Sequence, residues 1–480
     1  MRIYCLVLAM TCAIVSLVSC SKSSDVNGGG TTGGGGTNIH LTPITATVVE
    51  RIPTIAIIQW TASTNLLSSE TVEYKVSING TVIHTDLTQT RDTIYNITGD
   101  NAYTGKVTAY LSTGDNVSAD FTLDKINGFA IFGRVDNSIL KNTVQSYDIY
   151  SGQRLWKTSL GMSNSSLFGE PTVSHDTVFI TKSQTNDFSL YALNAKTGAL
   201  LWQSIPSSGS NLINSVTYYQ GKLYTVLNGN VIAVNAATGQ VIWTFQHAGN
   251  NFTSNPVIAN GKLYVGTGWG GGSDLYAINV ANGTESWHYQ YTGSYGARLL
   301  VYNGMAIFTT STTMYALNES NGSLVWKRDP SSTFQPGNSP LLYNGMIITG
   351  GDESRGFFGM NPSTGATVWN YANGVSGATP TLGNGTLYFG QDYGYAKVVT
   401  AIDASTGAFK WQKPAAANNV VFANNNLYID GVFYDNINIL DALTGDVVNT
   451  IGGSGYNVTG PFVVVINDIP YYHSWHGNYQ

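Results

Sequence analysis

Short runs of alternating apolar and polar residues, separated by turns rich in glycine and asparagine, make up most of this chain. The clearest example is a block of four successive runs, Pro256–Ile258, Lys262–Gly266, Asp274–Ile278 and Thr284–His288. Asn260-Gly261 separates the first two runs, as a tight hairpin requires. Alternation with a period of two, bounded by turn residues, indicates β-strands. The block therefore predicts one four-stranded antiparallel sheet.

One short phrase recurs eight times, with Asn or Asp four positions before a Gly and, in seven copies, Trp four positions after it. Its residues are Gly152 and Trp156, Gly198 and Trp202, Gly239 and Trp243, Gly283 and Trp287, Gly322 and Trp326, Gly365 and Trp369, Gly407 and Trp411, and finally Gly445 with Asn449 in place of Trp. Successive glycines are 46, 41, 44, 39, 43, 42 and 38 positions apart. A β pattern with this period is typical of a propeller with one four-stranded blade per repeat. Eight copies predict eight blades, or seven if the last copy forms no sheet.

The residues of the phrase have a structural interpretation. Asn or Asp bonds the backbone of a turn, and Gly supplies the positive φ that closes the turn. We expect the Trp on each outermost strand to cover the seam to the next blade instead of binding a ligand. The first repeat has no evident inner strand, and the C-terminal run 460–465 is apolar. We therefore expect that run to complete the first blade and close the ring.

Residues 39–125 predict a separate small β-sandwich. Alternating runs occupy 55–60, 72–78 and 105–111, and Asn79-Gly80 has the hairpin pattern. The segment resembles a fibronectin type III or other immunoglobulin-like domain, with Trp60 and Tyr74 at the positions of core aromatic residues. The resemblance implies a spacer or adhesive module, because no catalytic grouping of residues lies within it. The propeller is then expected to occupy residues 126–480.

The N-terminal residues predict export and lipid anchoring. Residues 1–19 combine Arg2 with an apolar run, as a signal peptide does. The sequence ending at Cys20 resembles the bacterial lipobox, which implies cleavage before that cysteine and acylation of it, for example with palmitate. The other two cysteines lie within the signal, so the folded part is expected to hold neither disulfides nor thiolate metal sites. Residues 20–38 are rich in glycine and predict a flexible tether.

Composition restricts the class of partner. Only 10% of the residues are charged, the net charge is −6, and no cluster of Lys and Arg is present. A nucleic-acid partner is therefore not expected. The polar surface instead suits envelope proteins or neutral glycans, and a monomer held at the outer membrane by its lipid is expected.

The repeats 190–202 and 231–243 are similar to the PQQ-like propeller repeats. That family includes quinoprotein dehydrogenases and the barrel-assembly lipoprotein of the BamB type, which is a non-catalytic scaffold. The dehydrogenases use a vicinal pair of cysteines and a calcium site, whereas this propeller contains no cysteine and its acids at 352–353 and 392 match no calcium loop. The propeller histidines form no metal-binding array, and the nearest pair is His473 and His476. Neither a cofactor nor catalysis is therefore expected.

The sequence predicts a non-catalytic binding scaffold of the bacterial envelope, with a role in outer-membrane protein assembly as its leading form. Surface glycan binding is the alternative, and a PQQ-dependent oxidoreductase is the third possibility. Binding would use the loops between the second and third strands of the blades, because these loops lie outside the repeated phrase. The candidate residues are Trp269, Asp352, Glu353, Arg355, Asp392, Tyr393 and Tyr395.

Overall fold

The computed structural model is built from β-strands and turns throughout its described residues. It describes residues 40–472 except 53–54, 67–69, 96, 98–100, 137–140, 163–166, 185–186, 205–214, 228, 248–251, 253, 269–272, 293–297, 311–312, 332–338, 353–355, 373–379, 392–397, 416, 418, 431–435 and 453–458. The predicted signal, Cys20 and the tether thus lie outside the described residues. The prediction of an all-β chain is confirmed.

Two sheets form an N-terminal unit. Its strands are β1 (Ala46–Ile52), β2 (Ile55–Trp60), β3 (Glu73–Ile78), β4 (Thr81–Leu87), β5 (Arg91–Tyr95), β6 (Tyr103–Tyr110) and β7 (Asn116–Leu123). One sheet has the order β1-β2-β5 and the other has the order β4-β3-β6-β7. Both sheets contribute to one buried core, in which Trp60 contacts Tyr74 with ring centroids 5.5 Å apart. The hairpin predicted at Asn79-Gly80 is present, with φ values of 47° and 80°.

Eight further antiparallel sheets, named sheet 1 to sheet 8, follow in order among the described residues. The strands of sheets 1 to 4 are β8 (Gly128–Asp136), β9 (Lys141–Asp148) and β10 (Arg154–Met162); β11 (Leu167–Phe168), β12 (Thr172–Ser174), β13 (Thr177–Gln184), β14 (Asp187–Asn194) and β15 (Leu200–Gln203); β16 (Thr217–Tyr219), β17 (Lys222–Leu227), β18 (Asn230–Asn235) and β19 (Val241–Phe245); and β20 (Val257–Ala259), β21 (Lys262–Gly266), β22 (Ser273–Asn279) and β23 (Glu285–Tyr291).

Sheets 5 to 8 each have four strands in sequence order, as sheets 3 and 4 do. Their strands are β24 (Arg298–Tyr302), β25 (Met305–Thr309), β26 (Met314–Asn318) and β27 (Leu324–Arg328); β28 (Leu341–Tyr343), β29 (Met346–Asp352), β30 (Gly356–Met360) and β31 (Thr367–Tyr371); β32 (Thr381–Gly383), β33 (Thr386–Gln391), β34 (Val398–Asp403) and β35 (Phe409–Pro414); and β36 (Val420–Ala423), β37 (Asn426–Asp430), β38 (Asn436–Asp441) and β39 (Val447–Gly452). Two C-terminal strands remain, β40 (Thr459–Ile466) and β41 (Ile469–Tyr471).

The C-terminal strands belong to sheet 1. Strand β40 pairs antiparallel with β8, and Val464 lies opposite Ala130, so the sheet has the order β10-β9-β8-β40-β41. The prediction that the C-terminal apolar run completes the first repeat is therefore confirmed. This pairing removes two strand edges that would otherwise be exposed.

A separate apolar core fills the space between each pair of neighbouring sheets. The core between sheets 8 and 1 contains Val421, Ala130 and Phe462, all of them buried. The described residues thus supply eight such cores in a cycle, with no seam left open. Apolar burial of this kind is the main source of stability in the described part of the chain, which contains neither cysteine nor helix.

Candidate functional site

The ring has two faces of different character. Because strand direction alternates in each sheet, the turns after the first and third strands lie on one face, here called the turn face. The turns after the second and fourth strands lie on the opposite face, here called the loop face. On the turn face, Asn260 and Gly261 have φ values of 49° and 74°, as a two-residue hairpin turn requires. All eight copies of the phrase also turn the chain on this face.

The polar residue of each phrase holds its own turn. In the second copy, Asn194 Oδ1 accepts hydrogen bonds from the backbone N–H groups of Lys196 (3.0 Å) and Thr197 (2.9 Å). The N–H of Gly198 donates to the carbonyl of Asn194 at 2.8 Å. Side-chain acceptance by Asn or Asp stabilises a turn that glycine then closes with positive φ. These polar side chains are therefore occupied within the chain.

Six of the seven phrase tryptophans link neighbouring sheets through a hydrogen bond. Each indole Nε1 donates to a backbone carbonyl in the next copy of the phrase: Trp156 to Ala195 (2.9 Å), Trp202 to Ala236 (3.0 Å), Trp243 to Val280 (3.2 Å), Trp287 to Glu319 (3.0 Å), Trp326 to Pro362 (2.9 Å) and Trp411 to Ala442 (3.2 Å). The indole rings thus cover the seams between neighbouring sheets, and their N–H groups are used in hydrogen bonds to the backbone of the next sheet.

The phrase glycines receive these rings. A Cβ atom added to Gly198 would lie 2.5 Å from Trp156 Cε3, and one added to Gly407 would lie 2.5 Å from Trp369 Cε3. Any side chain at these positions would overlap the indole of the preceding sheet. The glycine therefore has two roles, one in its own turn and one in packing against the preceding sheet.

Two copies of the phrase depart from the pattern. Asn449 replaces Trp in the last copy, and its Nδ2 donates to the carbonyls of Ile149 (3.2 Å) and Tyr150 (3.0 Å) in the first copy. This amide connects sheet 8 to sheet 1, as the indoles connect the other sheets. Trp369 Nε1 is buried without a hydrogen-bond partner among the described residues, and its nitrogen lies over Gly359, where other copies have a larger residue.

The candidate residues of the binding loops fall in or beside segments outside the described residues. Trp269, Glu353, Arg355, Asp392, Tyr393 and Tyr395 all belong to such segments. Asp352 is the last residue of β29 and pairs with Gly356, which places its backbone on the loop face. The role of these side chains stays a prediction.

Among the described residues, the loop face contains a set of buried polar residues, here called the base of the loop face. The N–H of Glu170 donates to Ser215 Oγ at 3.2 Å, and the N–H of Ser215 donates to Asn255 Oδ1 at 2.8 Å. Each of these residues lies just before the inner strand of its sheet, so the bonds join sheets 2, 3 and 4. On sheet 8, the Asp430 carboxylate accepts bonds from the backbone and side chain of Asn419 at 2.6 and 2.7 Å.

Besides Asp430, two further buried charged residues lie in this base. Glu170 and Lys182 are 1% and 4% exposed, and Lys182 Nζ donates to the carbonyl of Leu160 at 3.0 Å. Burial raises the pKa of Tyr472, and the negative charge of Glu170 raises it further. The Tyr472 hydroxyl is also bonded to the backbone of Val173, whose N–H donates to it at 2.8 Å. Sequence inspection gave no sign of this group, because Pro171 and its neighbours resemble any other strand start.

The described histidines of the ring lie on its outer strands and turns. His247 and His288 both contact the ring of Tyr276, with centroid distances of 5.2 and 5.3 Å. His288 Nδ1 shares a hydrogen bond of 2.7 Å with Glu285. Within the described segments, no group of three or more His, Cys, Asp or Glu side chains is arranged to hold a metal ion. The part of the chain that the structure describes also contains no helix of the length and apolarity needed to cross a membrane.

Comparison with known proteins connects this geometry to a family. The sequence profile of the family described as outer membrane protein assembly factor BamB matches residues 140–299 and 293–455. Tetrathionate hydrolase of Acidithiobacillus ferrooxidans is 26% identical over 285 residues, which cover 48% of this chain and 55% of that protein. Outer membrane protein assembly factor BamB of Yersinia pestis is 27% identical over 225 residues, which cover 42% of this chain and 56% of that protein. The chain spans about half the length of these curated relatives.

Solved structures support the fold. Dihydro-heme d1 dehydrogenase NirN, in complex with DHE, superposes with a TM-score of 0.54 at 13% identity, over 71% of this chain and 76% of that chain. Identity this low shows a shared fold and nothing about activity. The predicted PQQ-like repeats and β-propeller fold are confirmed by the family match.

Proposed function

The chain belongs to the family of the outer membrane protein assembly factor BamB, and we propose that its ring is a non-catalytic scaffold that binds other proteins of the bacterial envelope. The observation that carries the proposal is the family match, whose residues 140–299 and 293–455 coincide with most of sheets 1 to 8. We place the protein at the outer membrane and assign it a role in the assembly of outer-membrane proteins.

The geometry of the ring suits a scaffold. The phrase residues are used in turns and seams, so the sheets form a stiff support. On the loop face of sheets 2, 3 and 4, buried hydrogen bonds join the residues that precede the inner strands. Loops that carry binding residues are typically positioned by a rigid scaffold of this kind. Arg355, Tyr393 and Tyr395 are the anchors we assign on these loops, because Arg and aromatic side chains dominate protein interfaces.

The finer architecture is part of the same proposal. We infer that sheets 1 to 8 are the blades of one eight-bladed propeller, and that the N-terminal unit is a fibronectin type III-like spacer. Acylated Cys20 and the glycine-rich tether would hold this assembly at the membrane as a monomer.

A pull-down from detergent-solubilised envelope tests the proposal. The full chain is compared with a loop-face variant carrying Arg355→Ala, Tyr393→Ala and Tyr395→Ala. The matched control is Leu443→Ala, because Leu443 is highly exposed in a phrase turn on the opposite face. We expect the full chain and the control to recover the same outer-membrane assembly proteins and the loop-face variant to lose them.

Two results would contradict the scaffold role. One is recovery of the same proteins by the loop-face variant and the control alike, which would remove the loops from the interface. The other is turnover of tetrathionate by the purified chain, since a relative carries that activity in its name. Either measurement needs no knowledge of the partner beforehand.

A further inference from the structure

A groove opens on one side of the N-terminal unit, between strands β4 and β5. These strands are the outer strands of the two sheets, so neither has a second neighbour among the described strands. The groove has a volume of about 650 Å³, within the range of about 300–1,000 Å³ typical of small-ligand sites. None of the residues predicted to bind a partner lies here.

One hydrogen bond ties the two walls together. His84 Nδ1 on β4 and Asp92 Oδ2 on β5 lie 2.6 Å apart, and Asp92 Oδ1 also accepts the N–H of Thr93 at 2.8 Å. The Asp92 side chain is largely buried, whereas that of His84 is more than one third exposed. A short bond between an imidazole and a carboxylate across the two sheets sets the width of the groove.

The β4 wall is bent where it meets the groove. Asp86 has a φ of 57°, which is unusual for a residue other than glycine. The Tyr110 hydroxyl donates to Asp86 Oδ1 at 2.7 Å, and Thr85 Oγ1 donates to Asp86 Oδ2 at 2.8 Å. These bonds lower the pKa of Asp86, with the bond from Tyr110 contributing most. Local strain that neighbouring bonds maintain is a common feature of binding sites.

The lining combines hydrogen-bonding groups with one exposed aromatic ring. Six of its nine residues are polar, namely His84, Thr85, Gln89, Arg91, Asp92 and Thr93. The Tyr95 side chain at the end of β5 is 60% exposed. Arg91 and Asp92 balance each other in charge, so the groove does not select a charged ligand. It presents donors and acceptors together, beside a flat apolar surface.

We propose that this groove binds a neutral saccharide. A sugar hydroxyl donates and accepts hydrogen bonds at once, and one face of the sugar ring consists of C–H groups that stack on an aromatic side chain. The polar lining and the exposed Tyr95 meet both requirements. The proposal concerns the N-terminal unit and goes beyond the protein-binding role of the ring.

An extended peptide is the less favoured occupant. Adding a strand to a sheet edge requires an edge strand whose backbone N–H and C=O groups are regularly spaced. The pairing of β4 with β3 shifts register twice, between Tyr74 and Val76 and between Val76 and Ser77. Bulges of this kind protect sheet edges from further pairing. Side chains, more than backbone, are therefore the groups available for recognition.

Calorimetric titration of the full chain with maltohexaose, cellohexaose, xylohexaose and mannohexaose tests the inference. We expect at least one of the four to bind. Tyr95→Ala should weaken that binding about tenfold through loss of the stacking surface, and Gln89→Ala should weaken it about fivefold through loss of hydrogen bonds. Gln59→Ala is the matched control, because Gln59 is an exposed glutamine on β2 outside the groove.

Three results would overturn the inference. The first is no binding of any of the four hexasaccharides at millimolar concentration. The second is binding that Tyr95→Ala and Gln89→Ala leave at the level of the Gln59→Ala control. The third is binding of an extended peptide of alternating Val and Thr that the Tyr95→Ala variant loses, which would assign the groove to strand addition. The loop-face variant of the ring should bind the saccharide normally, so failure of either proposal can be recognised separately.

Discussion

A comparison of Trp156 with Trp369 separates the stabilisation that the indole hydrogen bond provides from the stabilisation that indole packing between sheets provides. Both side chains are 8% exposed and occupy the same position in the repeated phrase. Trp156 Nε1 donates to the carbonyl of Ala195 at 2.9 Å, whereas Trp369 Nε1 has no partner among the described residues. Replacing each by Phe removes a similar amount of buried surface, but only one replacement breaks a hydrogen bond.

The expected difference follows from those contacts. Trp156→Phe leaves the carbonyl of Ala195 without its indole donor, and an unsatisfied buried polar group costs about 1–3 kcal/mol. Trp369→Phe removes an N–H group that already lacks a hydrogen-bond partner, so no hydrogen bond is lost. Because burying an unsatisfied N–H group costs free energy, its removal partly offsets the free energy lost through poorer packing. Trp156→Phe should therefore reduce the free energy of unfolding by about 1–3 kcal/mol more than Trp369→Phe does.

Urea unfolding followed by far-ultraviolet circular dichroism measures the difference, because the backbone signal does not depend on the tryptophan that is removed. The two variants are compared by their midpoints at an unchanged slope. Trp287→Phe supplies a reference, since Trp287 is 7% exposed and donates to the carbonyl of Glu319 at 3.0 Å. It should behave like Trp156→Phe.

A Trp369→Phe variant as unstable as the other two variants would refute a stabilising role of the indole hydrogen bonds. That result would mean that packing of the indole rings alone stabilises the contacts between neighbouring sheets, and that the indole hydrogen bonds make no measurable contribution to the free energy of unfolding.

Two further predictions concern the turns. Gly198→Ala should destabilise the fold by about 1–3 kcal/mol more than Gly261→Ala, because both have positive φ but only the new Cβ at Gly198 meets an indole, at 2.5 Å; equal midpoints in urea would contradict this. Hydrogen bonds, first from Ser405 and then from Thr406, lower the pKa of Asp403 below its usual value. A lowered carboxyl pKa gives a stabilisation that is fully present above the unfolded value of about 3.9 and is lost as the pH falls from that value towards the lower pKa of the folded state. Asp403→Asn should therefore flatten the loss of unfolding free energy at every pH below about 5, and an unchanged slope would show that this carboxylate does not contribute to the loss.

The repeats could be predicted from the sequence because their determinants are local. A hairpin such as Asn260-Gly261 depends on the conformations that those two residues tolerate. The phrase likewise places an Asn, a Gly and a Trp at spacings that a single turn and strand can satisfy. Closure through β40 could also be predicted, because the first repeat had one strand too few and the C-terminal run one too many.

Features that depend on distant residues could not be predicted in the same way. Asn449 looked like a lost tryptophan, and only the ring geometry shows its amide bonded to Ile149 and Tyr150. The orientation of Trp369 depends on the small residue opposite it, Gly359. The groove between β4 and β5 arises from two sheets meeting side by side, and no motif in the sequence marks that meeting.

Closure of the ring also has a consequence for synthesis. Asn127 and Asn467, which bond each other at the joint between β8 and β40, lie 340 positions apart. At about 5–20 residues per second, a ribosome needs about 17–70 s to make the intervening chain. During that interval sheet 1 has an open edge, and the ring cannot close however many of its other seams have formed. The nascent chain therefore stays unclosed at least until β40 has been made, and during that interval the open edge of sheet 1 is accessible to a chaperone.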